Sequence, residues 1–332
     1  MAKDAEVIFT ASGSEANNLA IVGRALSKDR FRRGGYKVII TDGEHASVDE
    51  PARRLEALGI EVVKIPTRGG KLDVDALTRE LTKNVILVSM MMVNNETGAL
   101  YDTALVARLM KTRSPEAYLH VDATQSYMKL PFTKSSAGAD MITLSSHKIE
   151  GPKGVGALVV DRRVIKERGL SALILGGGQE GGLRSGTENV PAVAAFGEAV
   201  RIGRTALKDR YGKMKELRAY LVEKLNTLPH FSEISVTNPP SAAPHILNIT
   251  LPKIKSETML HYLSSFGIYV SSGSACSSNS SHVSSALVAF GRSEAEADSS
   301  IRISLSPRNT KEELDAFLEA LAEGLAKLSR IK

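Results

Sequence analysis

Seven short apolar runs alternate with longer amphipathic ones through the first half of the chain. This alternation limits the fold more than any other feature. Residues 7–11, 37–42, 61–66, 85–94, 118–122, 141–146 and 157–161 are rich in Val, Ile and Leu and predict strands. Residues 14–27, 47–58, 73–81 and 103–112 lie between the earlier runs and predict helices. A strand followed by a helix and another strand pairs in parallel, because the helix carries the chain back across the sheet. The expected class is α/β, a mostly parallel sheet flanked by helices. Ligands of such sheets sit beyond the carboxyl ends of the strands.

The pattern changes after residue 190. Residues 190–225 predict helix with a break, and a Pro239-Pro240 turn follows. An apolar segment at 245–251 precedes predicted helices at 256–265, 283–290 and 311–331, with strands at 268–271 and 301–305. This order predicts a smaller C-terminal α+β domain. The expected division is 1–204 and 205–332. With 332 residues, 42% of them hydrophobic, the chain can bury a large core. Residues 271–285 hold nine serines and the only cysteine, Cys276, which reads as a flexible loop. One cysteine excludes an intrachain disulfide, and no Cys/His spacing offers a metal site. The net charge of +6 is spread among mixed signs, so direct nucleic-acid binding is not expected. No apolar run reaches membrane-spanning length, and the first residues lack a signal-peptide layout. A cytoplasmic protein with no membrane contact is expected.

Asp122 ends the run Tyr-Leu-His-Val-Asp, and Lys148 follows the next strand. Alone, Asp122 reads equally as the cap of a turn. Together, an acid and a lysine at successive strand ends are what pyridoxal 5′-phosphate (PLP) chemistry needs. A buried lysine with a depressed pKa can bind the aldehyde, and the acid can keep the pyridine nitrogen protonated. Ser12-Gly13-Ser14-Glu15 follows the first strand and opens a helix. Ser12 and Glu15 form a capping box, and the free backbone N–H groups there suit a phosphate. Capping without a ligand is the other reading of that turn.

Several further segments occur in one order along the chain. They are Val93-Asn94-Asn95-Glu96-Thr97-Gly98, Val121-Asp122-Ala123-Thr124-Gln125-Ser126, Ser145-Ser146-His147-Lys148-Ile149-Glu150-Gly151, Gly176-Gly177-Gly178-Gln179-Glu180, Arg184-Ser185-Gly186-Thr187-Glu188-Asn189, Ser271-Ser272-Gly273-Ser274-Ala275-Cys276 and Ser300-Ile301-Arg302-Ile303-Ser304. The set resembles class V aminotransferase-like PLP enzymes of fold type I (the aspartate aminotransferase-like fold). Among them it is similar to the cysteine desulfurases of the NifS and IscS group. The resemblance implies that Lys148 binds PLP and moves the Cα proton, while Asp122 pairs with the pyridine nitrogen. It implies that Gln125 bonds the ring hydroxyl, Asn95 lies near the substrate, and His45 stacks on the ring. Gly13, Ser14, Ser145 and His147 would hold the phosphate. Thr187 would reach the phosphate of a neighbouring subunit, which implies a homodimer. Arg302 would take the substrate carboxylate in a fork geometry.

The implied reaction converts L-cysteine to L-alanine and leaves a persulfide on Cys276. The Cys276 thiolate would attack the substrate sulfur, with His45 available as a general acid or base. The persulfide would pass to a sulfur-acceptor protein, such as an iron–sulfur scaffold or a tRNA-thiolation enzyme. Selenocysteine lyase or class V aminotransferase activity is the nearest enzymatic alternative. The family's usual segment before the first strand has no counterpart here, which makes a truncated or non-catalytic homologue the remaining alternative. Ser12 and Gly13 also stand where the family usually has Gly and Ala, and Gly181-Gly182 and Ser306-Pro307 stand where arginine-bearing pairs are common.

Overall fold

The computed structural model describes residues 5–27, 35–228, 234–251, 253–272 and 283–328. Backbone proximity divides the chain into two compact units. The first comprises Met1–Pro66, Leu72–Val93 and Tyr101–Leu207. The second comprises Thr67–Lys71, Asn94–Leu100 and Lys208–Lys332. The two short excursions, at 67–71 and 94–100, carry no composition signal that marks them in the sequence.

The first unit is built on seven strands: β1 (Ala5–Thr10), β2 (Lys37–Thr41), β3 (Glu61–Ile65), β4 (Val85–Met91), β5 (Tyr118–Asp122), β6 (Met141–Ser145) and β7 (Gly156–Asp161). Their order across the sheet is β1-β7-β6-β5-β4-β2-β3. β2 through β6 pair in parallel, and β7 runs antiparallel to both β6 and β1. Every residue of β2, β4, β5 and β6 is buried. That fits their unbroken apolar character, since a parallel sheet is covered on both faces. The helices are α1 (Gly13–Ala25), α2 (Ala46–Ala57), α3 (Val74–Glu80), α4 (Thr103–Arg113), α5 (Lys134–Ala137), α6 (Arg162–Lys166) and α7 (Val190–Thr205). α1 buries Leu19, Ala20 and Ile21 with Val48, Ala52 and Leu55 of α2 in one core that includes Ile40, Leu87 and Leu158 of the sheet.

In the second unit the strands β8 (Ser235–Thr237), β9 (Ile246–Thr250), β10 (Ser271–Ser272) and β11 (Ser300–Ser304) form a sheet of order β10-β11-β9-β8, antiparallel throughout. Its helices are α8 (Leu207–Leu225), α9 (Ser256–Ser264), α10 (Ser285–Phe290), α11 (Glu294–Asp298) and α12 (Lys311–Leu328). Leu217, Leu221, Ile249, Met259, Ile301, Phe317 and Leu321 form its core. The helix expected over 190–225 breaks at Ala206. The strand expected at 268–271 is only the two-residue β10. Residues 268–270 pack Ile268 and Val270 against the core without a ladder partner.

Candidate active site

The site grows from the carboxyl ends of β1, β5 and β6. Gly156, the first residue of β7, pairs with both Thr10 and Ser145, so the ends of β1 and β6 lie on either side of it. A Cβ on Gly156 would come within 2.5 Å of the Ser12 carbonyl carbon and 2.8 Å of the Gly13 nitrogen. Only glycine therefore lets the turn after β1 sit this close to the sheet. A Cβ on Gly13 would in turn meet Ser145 Cβ at 3.2 Å and Thr124 Oγ1 at 3.3 Å. Three strand ends thus converge on the first turn of α1.

The Ser12 half of the expected capping box forms, while Glu15 reaches back one residue further, to Ala11 in place of the N-cap. Ser12 Oγ accepts the Glu15 N–H at 3.2 Å, and Glu15 Oε2 accepts the Ala11 N–H at 2.8 Å. Arg184 adds a brace, donating to Glu15 Oε1 at 2.9 Å. Helix geometry leaves the Gly13 and Ser14 N–H groups without intrahelical acceptors. Ser145 Oγ lies 3.0 Å from His147 Nδ1. Burial pushes the His147 pKa down, and the charges of Lys148, Lys153 and Lys129 push it the same way. The cup formed by Gly13, Ser14, Ser145 and His147 is therefore rich in donors and bordered by positive charge.

Asp122 lies deeper, buried at the end of β5. Its Oδ1 accepts the Thr124 N–H and its Oδ2 accepts from Asn17 Nδ2, each at 2.8 Å. Both donors are neutral. Asn17 Nδ2 also reaches Ser47 Oγ at 2.8 Å, and Ser47 Oγ lies 2.9 Å from His45 Nδ1. His45 is the N-cap of α2. Burial lowers its pKa, Asp122 opposes that shift, and Lys148 reinforces it. His45 therefore feels both the acid and the lysine. Gln125 Oε1 accepts from Lys129 at 3.1 Å, which leaves the amide NH2 as the group free to donate.

Lys148 sits on a 3₁₀ turn, Ser146–Ile149, immediately after β6. Glu150 closes the turn at φ 67°, and a Cβ on the following Gly151 would strike Ser146 Oγ at 2.2 Å. Sequence reasoning expects a buried lysine here; Lys148 and His147 are instead exposed. The turn lifts both side chains off the strand end, whereas the strand itself is covered.

Thr187 is exposed and lines a cleft in the first unit with Phe9, Thr10, Gly154, Glu180 and Arg184. Asn95 and Arg302 belong with the second unit, where Arg302 Nη1 donates to the Asn95 carbonyl at 3.1 Å. Glu96 beside them is half-buried; loss of solvent raises its pKa, while Ser284 and Arg302 oppose the shift. Cys276 lies outside the described residues.

Sequence reasoning gives no role to Asn17, Ser47, Thr124, Gly156 and Arg184, although Thr124 and Arg184 lie in two of the quoted segments. Asn17, Gly156 and Arg184 act through partners distant in sequence, Ser47 through His45 as well as distant Asn17, and Thr124 through an Asx turn two residues after a strand-end aspartate.

These groups fit PLP. Backbone donors, hydroxyls and nearby lysines could take the phosphate. A buried carboxylate whose own hydrogen-bond donors are neutral could face the ring nitrogen. An amine on an exposed turn could take the aldehyde. Sequence and structure comparisons agree with that class. The model of the family Aminotransferase class-V matches residues 1–317, and the chain belongs to this family. It is 37% identical over 317 residues to cysteine desulfurase IscS 1 of Archaeoglobus fulgidus, a match covering 95% of this chain and 80% of that protein. The structure superposes on that of a NifS-like protein with a TM-score of 0.86 at 33% identity, covering 97% of this chain and 82% of the other. SspA, solved in complex with cysteine, gives a TM-score of 0.74 at 30% identity over 92% of this chain and 82% of that one.

Proposed function

We propose that the protein is a PLP-dependent cysteine desulfurase, which takes sulfur from L-cysteine, releases L-alanine and holds the sulfur as a persulfide on Cys276. The observation that carries this reading is the pairing, within one unit, of buried Asp122 with the exposed Lys148 turn beside the Gly13 and Ser145 cup. The similarity to IscS and NifS-like proteins supports cysteine as the substrate.

Bound PLP supplies an aldehyde that links to amines and a ring that draws electrons from the substrate Cα. The chain's residues do the rest. Gly13, Ser14, Ser145 and His147 would hold the phosphate. Asp122 would hold the ring nitrogen, and Gln125 would donate to the ring hydroxyl. Lys148 would hold the aldehyde and move the Cα proton. Asn95 and Arg302 would serve the substrate, Arg302 at its carboxylate. The Cys276 thiolate attacks the substrate sulfur. An S–S bond forms, the Cβ–S bond breaks, and its electron pair stays with carbon, which takes a proton on the way to alanine. The persulfide then passes to an acceptor protein, an iron–sulfur scaffold or a thiolation enzyme.

A homodimer in the cytoplasm completes the proposal, with Thr187 reaching the partner's cofactor phosphate. Leu175 and Val190, 82% and 66% exposed, and Ile202 form apolar surface on and before α7, whose only fully covered residues are Phe196 and Gly203. Exposed apolar side chains such as these would suit an interface. Mixing the purified protein with PLP and L-cysteine tests the activity. With a dithiol reductant present to release the persulfide sulfur as sulfide, sulfide and alanine in equal amounts, with a cofactor absorbance band, are expected. Transamination of a keto acid without sulfide overturns the reading.

A further inference from the structure

Ser47 stands between Asn17 and His45, and the direction of each hydrogen bond in that row follows from which atoms own hydrogens. The Asp122 carboxylate can only accept, so the amide of Asn17 must present Nδ2 to it, and the side chain has one orientation. This leaves Asn17 Oδ1 buried without a partner. The opposite orientation would be worse, because it sets that oxygen against the carboxylate. The second Nδ2 hydrogen goes to Ser47 Oγ at 2.8 Å. Ser47 Oγ accepts from Asn17 and keeps its own hydrogen for His45 Nδ1, 2.9 Å away. A second donor makes the same demand: the Ser47 backbone N–H, which cannot accept, points at His45 Nδ1 from 3.1 Å. His45 Nδ1 therefore carries no hydrogen.

We infer that Asn17 and Ser47 are positioning residues that hold His45 as its Nε2–H tautomer, so that His45 serves the reaction as a hydrogen-bond donor and not as the base that removes a proton. A base at Nε2 needs a lone pair there. The ring gains one only by moving its hydrogen to Nδ1, where it would collide with the Ser47 N–H. Protonation to imidazolium meets the same obstacle. Burial of the ring and the charge of Lys148 disfavour the imidazolium as well, against the pull of Asp122. Proton removal from the substrate then falls to Lys148. The tautomer stands on hydrogen-bond geometry alone; the consequence for the reaction rests on the desulfurase reading.

The test is nitrogen NMR of the cofactor-free protein labelled in histidine. The Nε2–H form should exceed the Nδ1–H form at least tenfold at His45. Ser47→Ala keeps the backbone donor, so it should lower this ratio several-fold without inverting it. Asn17→Ala should lower it through Ser47, and should add nothing in the Ser47→Ala background. A wild-type ring in the Nδ1–H form, or a ratio unmoved by Ser47→Ala, overturns the inference. Exchange of the L-cysteine Cα hydrogen with deuterated water, followed in the PLP-loaded protein, tests the second half. His45→Gln keeps a side-chain N–H donor but loses the ring, so exchange should slow yet stay measurable, whereas Lys148→Ala should lose it. Loss in His45→Gln equal to that in Lys148→Ala overturns the donor role. If wild-type protein shows the expected tautomer yet yields no sulfide, the desulfurase reading fails and the tautomer stands.

Discussion

Glu44 Oε1 accepts the backbone N–H of Met91 at 2.8 Å, which ties the turn after β2 to the carboxyl end of β4. The Thr41 hydroxyl donates to the same oxygen at 2.5 Å, while Oε2 is buried without a hydrogen-bond partner. Glu44 is 4% exposed, and burial lifts its pKa to about 8. The two hydrogen bonds oppose that rise, and the nearby charges of Asp122 and Asp42 add to it.

A folded-state pKa near 8, above the ordinary 4.5, means that the protonated acid favours the fold. Its contribution is complete below the ordinary value and is lost as pH rises through 8. The thermal midpoint of the cofactor-free protein should therefore fall between pH 5 and pH 9. Glu44→Gln mimics the neutral acid. It should match wild type at pH 5 and exceed it by about 5 °C at pH 9, since each kcal/mol moves a midpoint by a few degrees in a protein of this size. Equal slopes for the two proteins would show that Glu44 does not titrate this way.

Lys148→Ala should abolish the covalent cofactor link and slow sulfide release by about 1,000-fold, the scale on which a positioned acid or base acts. Borohydride reduction followed by peptide mapping reads the first effect directly. In wild type the mass added by the cofactor should appear on the peptide containing Lys148, and on another lysine if the assignment is wrong.

Cys276→Ala separates cofactor chemistry from sulfur transfer. The variant should bind PLP with an unchanged spectrum and lose persulfide formation by at least about 100-fold, because no other thiol exists in the chain to take the sulfur. Parent-level sulfide release from this variant would remove Cys276 from the mechanism.

Ile202, 49% exposed on α7, offers a test of association. Ile202→Glu places a charge in the proposed apolar contact, where an unpaired charge is costly. Sedimentation should give twice the chain mass for wild type and a shift toward the single-chain mass for the variant. Wild-type protein that sediments as a monomer at micromolar concentration would dismiss the dimer.

Strand ends were the legible part of the site. Asp122 and Lys148 close apolar runs, and the punctuation of those runs shows in the sequence without any partner. Asn17 is different. It sits among ordinary helix residues, and its importance comes from Asp122, 105 residues away. Arg24 makes the same point for the fold. An arginine in a helix reads as surface, yet Arg24 is buried, donates to the carbonyls of Ile86, Gly169 and Glu116, and stacks 3.9 Å from the Tyr118 ring centre. Three backbone acceptors and an aromatic face satisfy its charge, and none of them is near it in sequence. Cys276 is the converse case: its serine-rich surroundings read only as a loop, and its role comes from the resemblance alone.

Gly156 also sets a clock. Among the described residues β1 pairs with β7 alone, and the first turn of α1 rests on the first residue of β7. During synthesis, residues 10–14 leave the ribosome long before residue 156 does. Until then β1 has no ladder to join, and the turn after it has no floor. A long-range closure of this kind comes late in folding. Competence to capture the cofactor therefore arrives with β7, so a nascent chain that stops short of residue 156 should emerge colourless even where PLP is abundant.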